Sequence, residues 1–417
     1  MKTKNDKLNF VRGSLIGGAA GDALGYPVEF NSYQSILAKY GELGIKEYKL
    51  CNDVAEVSDD TQMTLFTANA ILMAQTRSCM RGIGGALEYY VEYGYIDWYL
   101  TQTESYENVM KRDLSRHTWI SALPRLYSRR APGNTCLTAI HDIMERRTPA
   151  NNSKGCGGVM RVAPYGLFCA CHDSYYSIEE TDVAGGEIAR LTHKHPLGWI
   201  PAIILTHIIY RIVKDREIQG LDKNYARKLF TRIVIEALNS LPNLMVLNNV
   251  SETTWNKKNT IGEVFSNDVK QQVELMEQAL SLATNNHSDI ENIRCLGEGW
   301  VGEEALAIAT YAVARHIDSF EDALVASVNH DGDSDSTGSI AGNIIGAIVG
   351  YDAIPTKFKE NLELHDVIIA LADDLHQGCI TSEYDPDFTP EKGQWLNRYC
   401  EMIPAGFENE FNKNNRY

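Results

Sequence analysis

The sequence predicts a mostly helical protein, and two observations support this fold class. Apolar residues recur at helical spacing in several stretches, including residues 68–72, 203–212 and 305–312. Alternation of apolar and polar residues, which is typical of strands, is scarce and predicts one short strand, over residues 45–50. Packing of helix on helix is therefore the expected architecture.

A chain of 417 residues is long enough for two or three average domains, since a domain usually has ~100–200 residues. Loops rich in Gly, Pro, Asn or Ser are predicted at 129–134, 151–158, 249–260 and 285–289. None resembles an interdomain linker, so we expect one domain spanning 1–417. Its motifs occupy about 9–377, and the extension 378–417 lacks periodicity and predicts a wrapped or frayed end.

The composition excludes several classes of protein. The net charge of −16 argues against broad neutralisation of nucleic acid or of anionic lipid. Nine cysteines without a Cys-x-x-Cys pair indicate neither a disulfide framework nor a structural zinc site. The longest charge-free apolar runs, 196–210 and 336–351, are shorter than the ~20 residues that cross a bilayer. We expect a cytoplasmic protein that does not bind membranes.

Two segments at opposite ends of the chain carry glycine at every fourth residue. The first has Gly13, Gly17, Gly21 and Gly25, and the second has Gly338, Gly342, Gly346 and Gly350. Each interior glycine costs about 1 kcal/mol relative to alanine, so a close approach must offset it. Tight packing of two helices is the preferred explanation, and a backbone held near a ligand is the alternative. Asp22 argues against a membrane dimer.

Acidic clusters precede two predicted helices, 61–72 and 338–350. The clusters are Ser58, Asp59 and Asp60, and then Asp331, Asp333, Asp335 and Ser336. One Asp would suffice to cap a helix, whereas several neighbouring carboxylates repel one another unless a cation is present. Oxygen ligands without nearby His or Cys favour Mg²⁺ or Mn²⁺. If the clusters converge, they would hold one or two ions.

A third element is rich in glycine and predicts an anion site. Gly155, Gly157 and Gly158 allow consecutive amides to point inward around a phosphate. His193 would donate to such a phosphate, although a capping or core histidine is an equal alternative. Glu29 follows the first glycine segment. Taken alone, it would be an ordinary surface carboxylate and would not indicate a function.

Together and in this order, these motifs resemble the ADP-ribosylglycohydrolase family, which includes the dinitrogenase-reductase-activating glycohydrolases. The resemblance covers about residues 9–377. It implies a compact all-α orthogonal bundle of one domain with a binuclear Mg²⁺ or Mn²⁺ centre. It also implies release of ADP-ribose from an ADP-ribosylated protein, most often from arginine.

The resemblance also implies roles for individual residues. The family's metal ligands fall on Ser58, Asp59, Asp60, Asp333, Asp335 and Ser336. Its diphosphate loop and its phosphate- or ribose-contacting histidine fall on Ser153, Gly155, Cys156, Gly157, Gly158 and His193. Some members carry Asn where this chain has Cys156, so a side-chain hydrogen bond to the ligand is expected to be weaker or missing. The role of Asp331 is left open.

Catalysis is expected to hydrolyse the bond at the anomeric carbon of the distal ribose, with oxocarbenium character. Asp59 or Asp60 is the expected general base, and Glu29 would protonate the departing group. The alternatives are a non-catalytic binder of ADP-ribose or a structural protein such as a lens crystallin, and a metal-dependent hydrolase of free nucleotides. The acceptor stays open between arginine, serine, a nucleobase and a metabolite. The aromatic segment 84–105 would either form the floor of a substrate cleft or pack in the core.

Overall fold

The computed structural model describes residues 4–84, 87–111, 119–216, 218, 220–245, 259–387 and 389–400. Eighteen α-helices form within these residues, and the all-α prediction is confirmed. In chain order, α1 to α18 are Lys4–Gly25, Tyr33–Tyr40, Asp59–Arg81, Leu87–Thr103, Tyr106–Met110, Asn134–Met144, Ala163–Cys171, Ile178–Arg190, Pro196–Asp215, Lys223–Ser240, Ile261–Val264, Ser266–Leu282, Asp289–Ile293, Gly302–Arg315, Phe320–Val328, Ser334–Val349, His365–Gln377 and Pro390–Tyr399.

Short 3-10 turns connect several of these helices. They are Tyr26–Val28, Trp119–Ala122, Pro124–Leu126, Cys156–Gly158, Leu241–Asn243, Tyr351–Ala353 and Thr356–Phe358. The predicted strand at 45–50 is wrong, because these residues are irregular and the described chain contains only isolated β-bridges, such as Cys51 with Val54. A single alternating stretch without a partner strand has no ladder to join.

The two glycine segments lie on α1 and α16, which pack directly against each other. A Cβ added to Gly17 would overlap the carbonyl oxygen of Gly342, and one added to Gly342 would overlap that of Gly17. Gly21 faces Gly338 in the same way, so the helices run antiparallel. The preferred explanation, tight helix packing, is confirmed. This pairing brings the end of α1 to the start of α16.

Both helices that carry acidic clusters begin earlier than the sequence predicts. The helix predicted at 61–72 is α3, which is capped by Ser58, ends at Arg81 and is followed by the C-cap Gly82, a residue with φ of +61°. The helix predicted at 338–350 is α16, whose N-cap is Asp333. Apart from Asp331, which precedes the N-cap of α16, the acidic residues therefore occupy the caps and first turns of these helices.

The C-terminal extension is wrapped and partly helical. Its helix α18 packs on α3, where the indole nitrogen of the buried Trp395 donates to Thr76 Oγ1 at 2.9 Å. A frayed end is therefore wrong for residues 390–399. The prediction for 401–417, and that for nearly all of the loop 249–260, fall outside the described residues.

Helix α9 is longer than its charge-free run predicts. Its 20 residues are long and apolar enough to cross a membrane, and 89% of its apolar window is buried inside the protein. The helix contacts α7, α8 and α14. It thus forms part of the core that supports the site described next.

Candidate active site

A cleft of about 300 Å³ lies where the end of α1 meets the first turns of α3 and α16. Five carboxylates line it, and they belong to Glu29, Asp59, Asp60, Asp333 and Asp335. No lysine or arginine is among the described residues that line this cleft. The structure therefore brings together two acidic clusters that are more than 270 positions apart in sequence, as the sequence predicts.

The first cluster is held by helix capping and by a buried neighbour. Ser58 Oγ accepts from the amide of Asp60 at 3.2 Å, and Asp59 Oδ2 accepts from the amide of Gly133 at 3.2 Å. Asp22, fully buried on α1, accepts from the amides of Ser58 and Thr61 at 3.0 and 3.1 Å. Asp60 Oδ2 is buried without a hydrogen-bond partner among the described residues.

The second cluster is held at the start of α16. Asp333 Oδ1 and Asp335 Oδ1 both accept from the amide of Ser336, at 3.1 and 3.0 Å. Asp333 Oδ2 accepts from the thiol of Cys156 at 2.8 Å. Burial raises the pKa of the Cys156 thiol well above its usual range, so the thiol keeps its proton and donates it.

Asp331, whose role the sequence leaves open, lies apart from the cleft. Its Oδ1 accepts from the amide of Tyr33 at 2.8 Å, and its Oδ2 accepts from the guanidinium of Arg294 at 3.2 Å. It therefore joins the start of α2 to the segment after α13 and has a structural role.

Crowding of carboxylates in a buried place makes their charged forms costly. Burial, followed by the charge of Asp333, raises the pKa of Glu29 to about 8. Burial raises the pKa of Asp59 to about 8, although the Gly133 hydrogen bond opposes this shift. Burial and the neighbouring charges also raise the pKa values of Asp60 and Asp335 well above the usual range. A cation in the cleft would favour the ionised forms.

The donor set of the cleft suits a hard divalent ion. Asp59, Asp60, Asp333, Asp335 and Ser336 offer only oxygen atoms, which Mg²⁺ and Mn²⁺ prefer. Asp60 Oδ2 has no partner to give up, whereas Asp333 Oδ2 would exchange the Cys156 thiol for an ion. In the described part of the chain, no three Asp, Glu, His or Cys side chains already lie in a closed coordination sphere. Side-chain rotation would therefore accompany binding.

The glycine-rich loop forms another wall of the cleft through Gly155, Cys156 and Gly157. The amide of Gly155 donates to Ser153 Oγ at 3.3 Å, and that of Cys156 donates to the carbonyl of Trp300 at 3.3 Å. These amides are already used, so the predicted cradle of consecutive inward amides is wrong for them. The amide of Gly157 lies in the first turn of a 3-10 helix, where no acceptor inside the turn is available.

His193 lies beneath this loop and lines the cleft, although only 2% of its surface is exposed. Burial and the nearby Arg161 lower the pKa of His193 to about 3, which keeps the ring neutral near pH 7. The ring is therefore suited to hydrogen bonding with a ligand and not to pairing with it as an ion.

Three of the predicted site residues do not line the cleft, because each is used in packing or capping. Ser58 is the N-cap of α3. Ser153 Oγ accepts from Gly155 and bonds Thr135 Oγ1 at 3.1 Å. Gly158 is buried, and a Cβ there would overlap the carbonyl oxygen of Gly198.

Several residues of the cleft were missed by sequence reasoning. Phe30 stacks on Trp300 with ring centroids 5.1 Å apart, and both line the cleft. Phe30 is 72% exposed and has a φ of +63°, which is unusual for a bulky residue. The segment Ala131–Cys136 also lines the cleft, and its Gly133 binds Asp59. In the sequence, nothing distinguishes Phe30 from the other phenylalanines.

The aromatic segment 84–105 forms helix α4 over Leu87–Thr103 and packs against α3. Tyr95 and Trp98 are fully buried, and no residue of α4 lines the cleft. Of the two predicted alternatives, core packing is correct.

Fold and site together define a helical protein with an acidic cleft built from helix N-termini. The family model described as ADP-ribosylglycohydrolase matches residues 3–385, and the chain belongs to this family. Members of this family act on ADP-ribosylated substrates, and membership therefore supports an ADP-ribosyl hydrolase activity. The predicted family is therefore confirmed.

Two distant relatives match over most of the chain. The chain is 25% identical to the ADP-ribosylhydrolase ARH1 of Dictyostelium discoideum, covering 88% of this chain and 93% of that one. It is 22% identical to the ADP-ribosyl-[dinitrogen reductase] glycohydrolase of Rhodospirillum rubrum, covering 86% and 95%. A solved structure described as an ADP-ribosylglycohydrolase-related protein complex matches with a TM-score of 0.52 at 18% identity, covering 89% and 99%. This last likeness shows the fold.

Proposed function

We propose that this protein is a metal-dependent hydrolase that releases ADP-ribose from a modified acceptor, with ADP-ribosyl-arginine on a protein as its substrate. The observation that carries the proposal is the convergence of five carboxylates on one cleft without a lining lysine or arginine. Membership of the ADP-ribosylglycohydrolase family supports the reaction class.

Two Mg²⁺ or Mn²⁺ ions are the proposed cofactors, with Asp59, Asp60, Asp333, Asp335 and Ser336 as their ligands. Bound there, the ions would supply Lewis-acid polarisation of substrate and water oxygens. The Ser58 hydroxyl, which caps α3, would have to leave the amide of Asp60 to join them. We therefore place it outside the ligand set in the arrangement described.

The chain's own residues would divide the remaining work. Asp59 or Asp60 would accept a proton from the attacking water, because both face the cleft and neither is paired with a basic side chain there. Glu29 lines the same cleft from the residue after the 3-10 turn Tyr26–Val28, and it would deliver a proton to the departing acceptor. The acidic wall would also stabilise positive charge on the ribose ring as the bond stretches.

Binding would rely on the opposite wall of the cleft. The amide of Gly157 and the ring of His193 are the groups placed to hold the diphosphate. Anchoring a remote part of the substrate in this way would hold the reacting carbon against the carboxylates.

The decisive experiment is a product assay. The protein is incubated with arginine-, serine- and nucleic-acid-linked ADP-ribose, with added Mg²⁺ or Mn²⁺ and with or without a chelator. Mass spectrometry then identifies what is released. Intact ADP-ribose from the arginine conjugate, lost on chelation and restored by metal, is the expected result. Release of AMP or phosphate would indicate a phosphoesterase, and binding without release would indicate a non-catalytic member; either would overturn the proposal.

A further inference from the structure

We propose that Arg161 and Thr192 are positioning residues that fix the neutral ring of His193 with its proton on Nε2, so that Nε2 donates to a ligand oxygen in the cleft. The statement about the ring stands on the geometry of the three side chains. The statement about the ligand rests on the proposed function.

The three side chains form a continuous chain of hydrogen bonds inside the protein. Arg161 Nη2 donates to Thr192 Oγ1 at 2.6 Å, and Thr192 Oγ1 lies 2.9 Å from His193 Nδ1. Arg161 and Thr192 are 0% exposed, and His193 is 2% exposed. Bulk water therefore does not compete for these bonds.

The direction of each bond follows from the available protons. A guanidinium has donors only, so Thr192 Oγ1 accepts from Arg161. The hydroxyl has one proton left to give, and its possible acceptors are His193 Nδ1 at 2.9 Å and the carbonyl of Ala189 at 3.4 Å. If Nδ1 donated instead, the hydroxyl would accept from both Arg161 and His193 and would give its proton across the longer contact of 3.4 Å, which is the weaker arrangement. Nδ1 therefore accepts, and a neutral imidazole whose Nδ1 accepts carries its proton on Nε2.

The Nε2 edge of the ring faces the glycine-rich loop. A Cβ added to Gly155 or to Gly157 would lie 3.4 Å from Nε2, so side chains there would crowd this edge. No hydrogen bond from Nε2 to another described residue is formed, although Nδ1 is bonded. An N–H group directed at the cleft wall without a protein acceptor is suited to an oxygen of a bound ligand.

The surroundings of the buried Arg161 are unusual for an arginine whose role is structural alone. In the described chain its guanidinium bonds to Thr192, to the carbonyl of Ile188 and to two sulfur atoms, and it lies 4.5 Å from the ring centroid of Tyr95. None of these partners is a carboxylate. A buried cation without an acidic partner is costly. Beneath an anion site that cost is partly offset, and the cation also keeps His193 from taking a second proton.

The first test reads the ring directly. The chain is labelled with ¹⁵N at histidine, and long-range ¹H–¹⁵N spectra distinguish protonated from unprotonated ring nitrogens. His193→Gln identifies the His193 signals. A protonated Nε2 and an unprotonated Nδ1 in the native chain at pH 7 are expected, and a protonated Nδ1 would overturn the proposal whatever the protein's activity.

The second test separates positioning from packing. Thr192→Val removes the hydroxyl at nearly constant volume, Thr192→Ser keeps it, and Thr310→Val is the matched control because that buried hydroxyl has no partner in the described chain. ADP-ribose affinity is measured by calorimetry. We expect Thr192→Val to bind about tenfold more weakly and to lose the uniform Nε2 protonation, whereas Thr192→Ser and Thr310→Val keep both.

The two measurements distinguish failure of this inference from failure of the proposed function. If the native chain shows no affinity for ADP-ribose, the proposed function fails while the spectra still decide the state of the ring. If Thr192→Val leaves both the ring signals and the affinity unchanged, Thr192 is not a positioning residue and the inference is wrong.

Discussion

The hydroxyl of Thr61 donates to Asp22 Oδ2 at 2.5 Å, which joins the first turn of α3 to α1. The amides of Ser58 and Thr61 donate to the same carboxylate. Asp22 does not line the cleft, and burial raises its pKa to about 6. Its position therefore determines where the helix that carries Asp59 and Asp60 begins relative to α1.

Replacing Asp22 should destabilise the protein. In Asp22→Ala the two amides and the hydroxyl lose their buried acceptor, which we expect to lower the free energy of unfolding by about 2–4 kcal/mol. Asp22→Asn keeps one acceptor oxygen and should cost less. Urea unfolding measures both, with the exposed Glu42→Gln as the control. An unchanged unfolding free energy in Asp22→Ala would contradict this role.

The sequence predicts the helical class because spacing is a local property. It also predicts that the glycine segments pack closely, since eight costly glycines require a reason. It does not give their antiparallel pairing by itself, because that depends on contacts between Gly17 and Gly342, far apart in the chain. Asp22 is hidden within the first segment for the same reason: its partners Ser58 and Thr61 belong to another helix.

The acidic half of the site was predictable because both clusters are short sequence motifs. The aromatic pair Phe30 and Trp300 was not, since stacking of residues that far apart is a product of folding alone. Ser58 and Ser153 are the reverse case, because the sequence places them in the site and the structure does not place them in the cleft lining. Their hydroxyls match a ligand pattern, but neighbouring amides use them, and sequence does not distinguish a cap from a ligand.

Adding a methyl group to the glycine contact should be highly destabilising. In Gly342→Ala the new Cβ would overlap the carbonyl oxygen of Gly17, and helix backbones cannot yield as a flexible side chain does. We expect a loss of more than about 3 kcal/mol, or failure to fold, because overpacking of this kind has no relief. Gly84→Ala is the matched control, since its nearest atom would be 3.6 Å away. Equal thermal midpoints for the two variants would contradict the close helix packing.

Removing charge from the cleft should abolish turnover without loss of the fold. Asp60→Asn and Asp333→Asn keep side-chain volume and relieve repulsion between buried carboxylates. Stability should be unchanged or higher in Asp60→Asn, whose Oδ2 has no partner to lose, and lower by no more than about 1 kcal/mol in Asp333→Asn, whose amide nitrogen cannot accept from Cys156. Turnover of the arginine conjugate should fall at least about 100-fold. Asp331→Asn is the control from the same motif, because Asp331 lies outside the cleft lining. An unchanged rate in Asp60→Asn or Asp333→Asn would contradict the proposed mechanism.

The buried His193 should make the protein less stable in acid. Burial and Arg161 lower its pKa from 6.5 to about 3, so between these values the unfolded chain binds a proton that the folded chain does not. Stability therefore rises with pH through this window, and the contribution of His193 is complete above about pH 6.5 and is lost as the pH falls below it. The slope is at most about 1.4 kcal/mol per pH unit.

His193→Gln tests this linkage, because glutamine does not titrate. Between pH 7 and pH 5 the free energy of unfolding of the variant should fall by about 2 kcal/mol less than that of the native chain. Urea unfolding at several pH values measures the difference, with His287→Gln at an exposed position as the control. A native chain and a His193→Gln variant with the same pH dependence would show that the folded protein tolerates a charged His193, contrary to its burial beside Arg161.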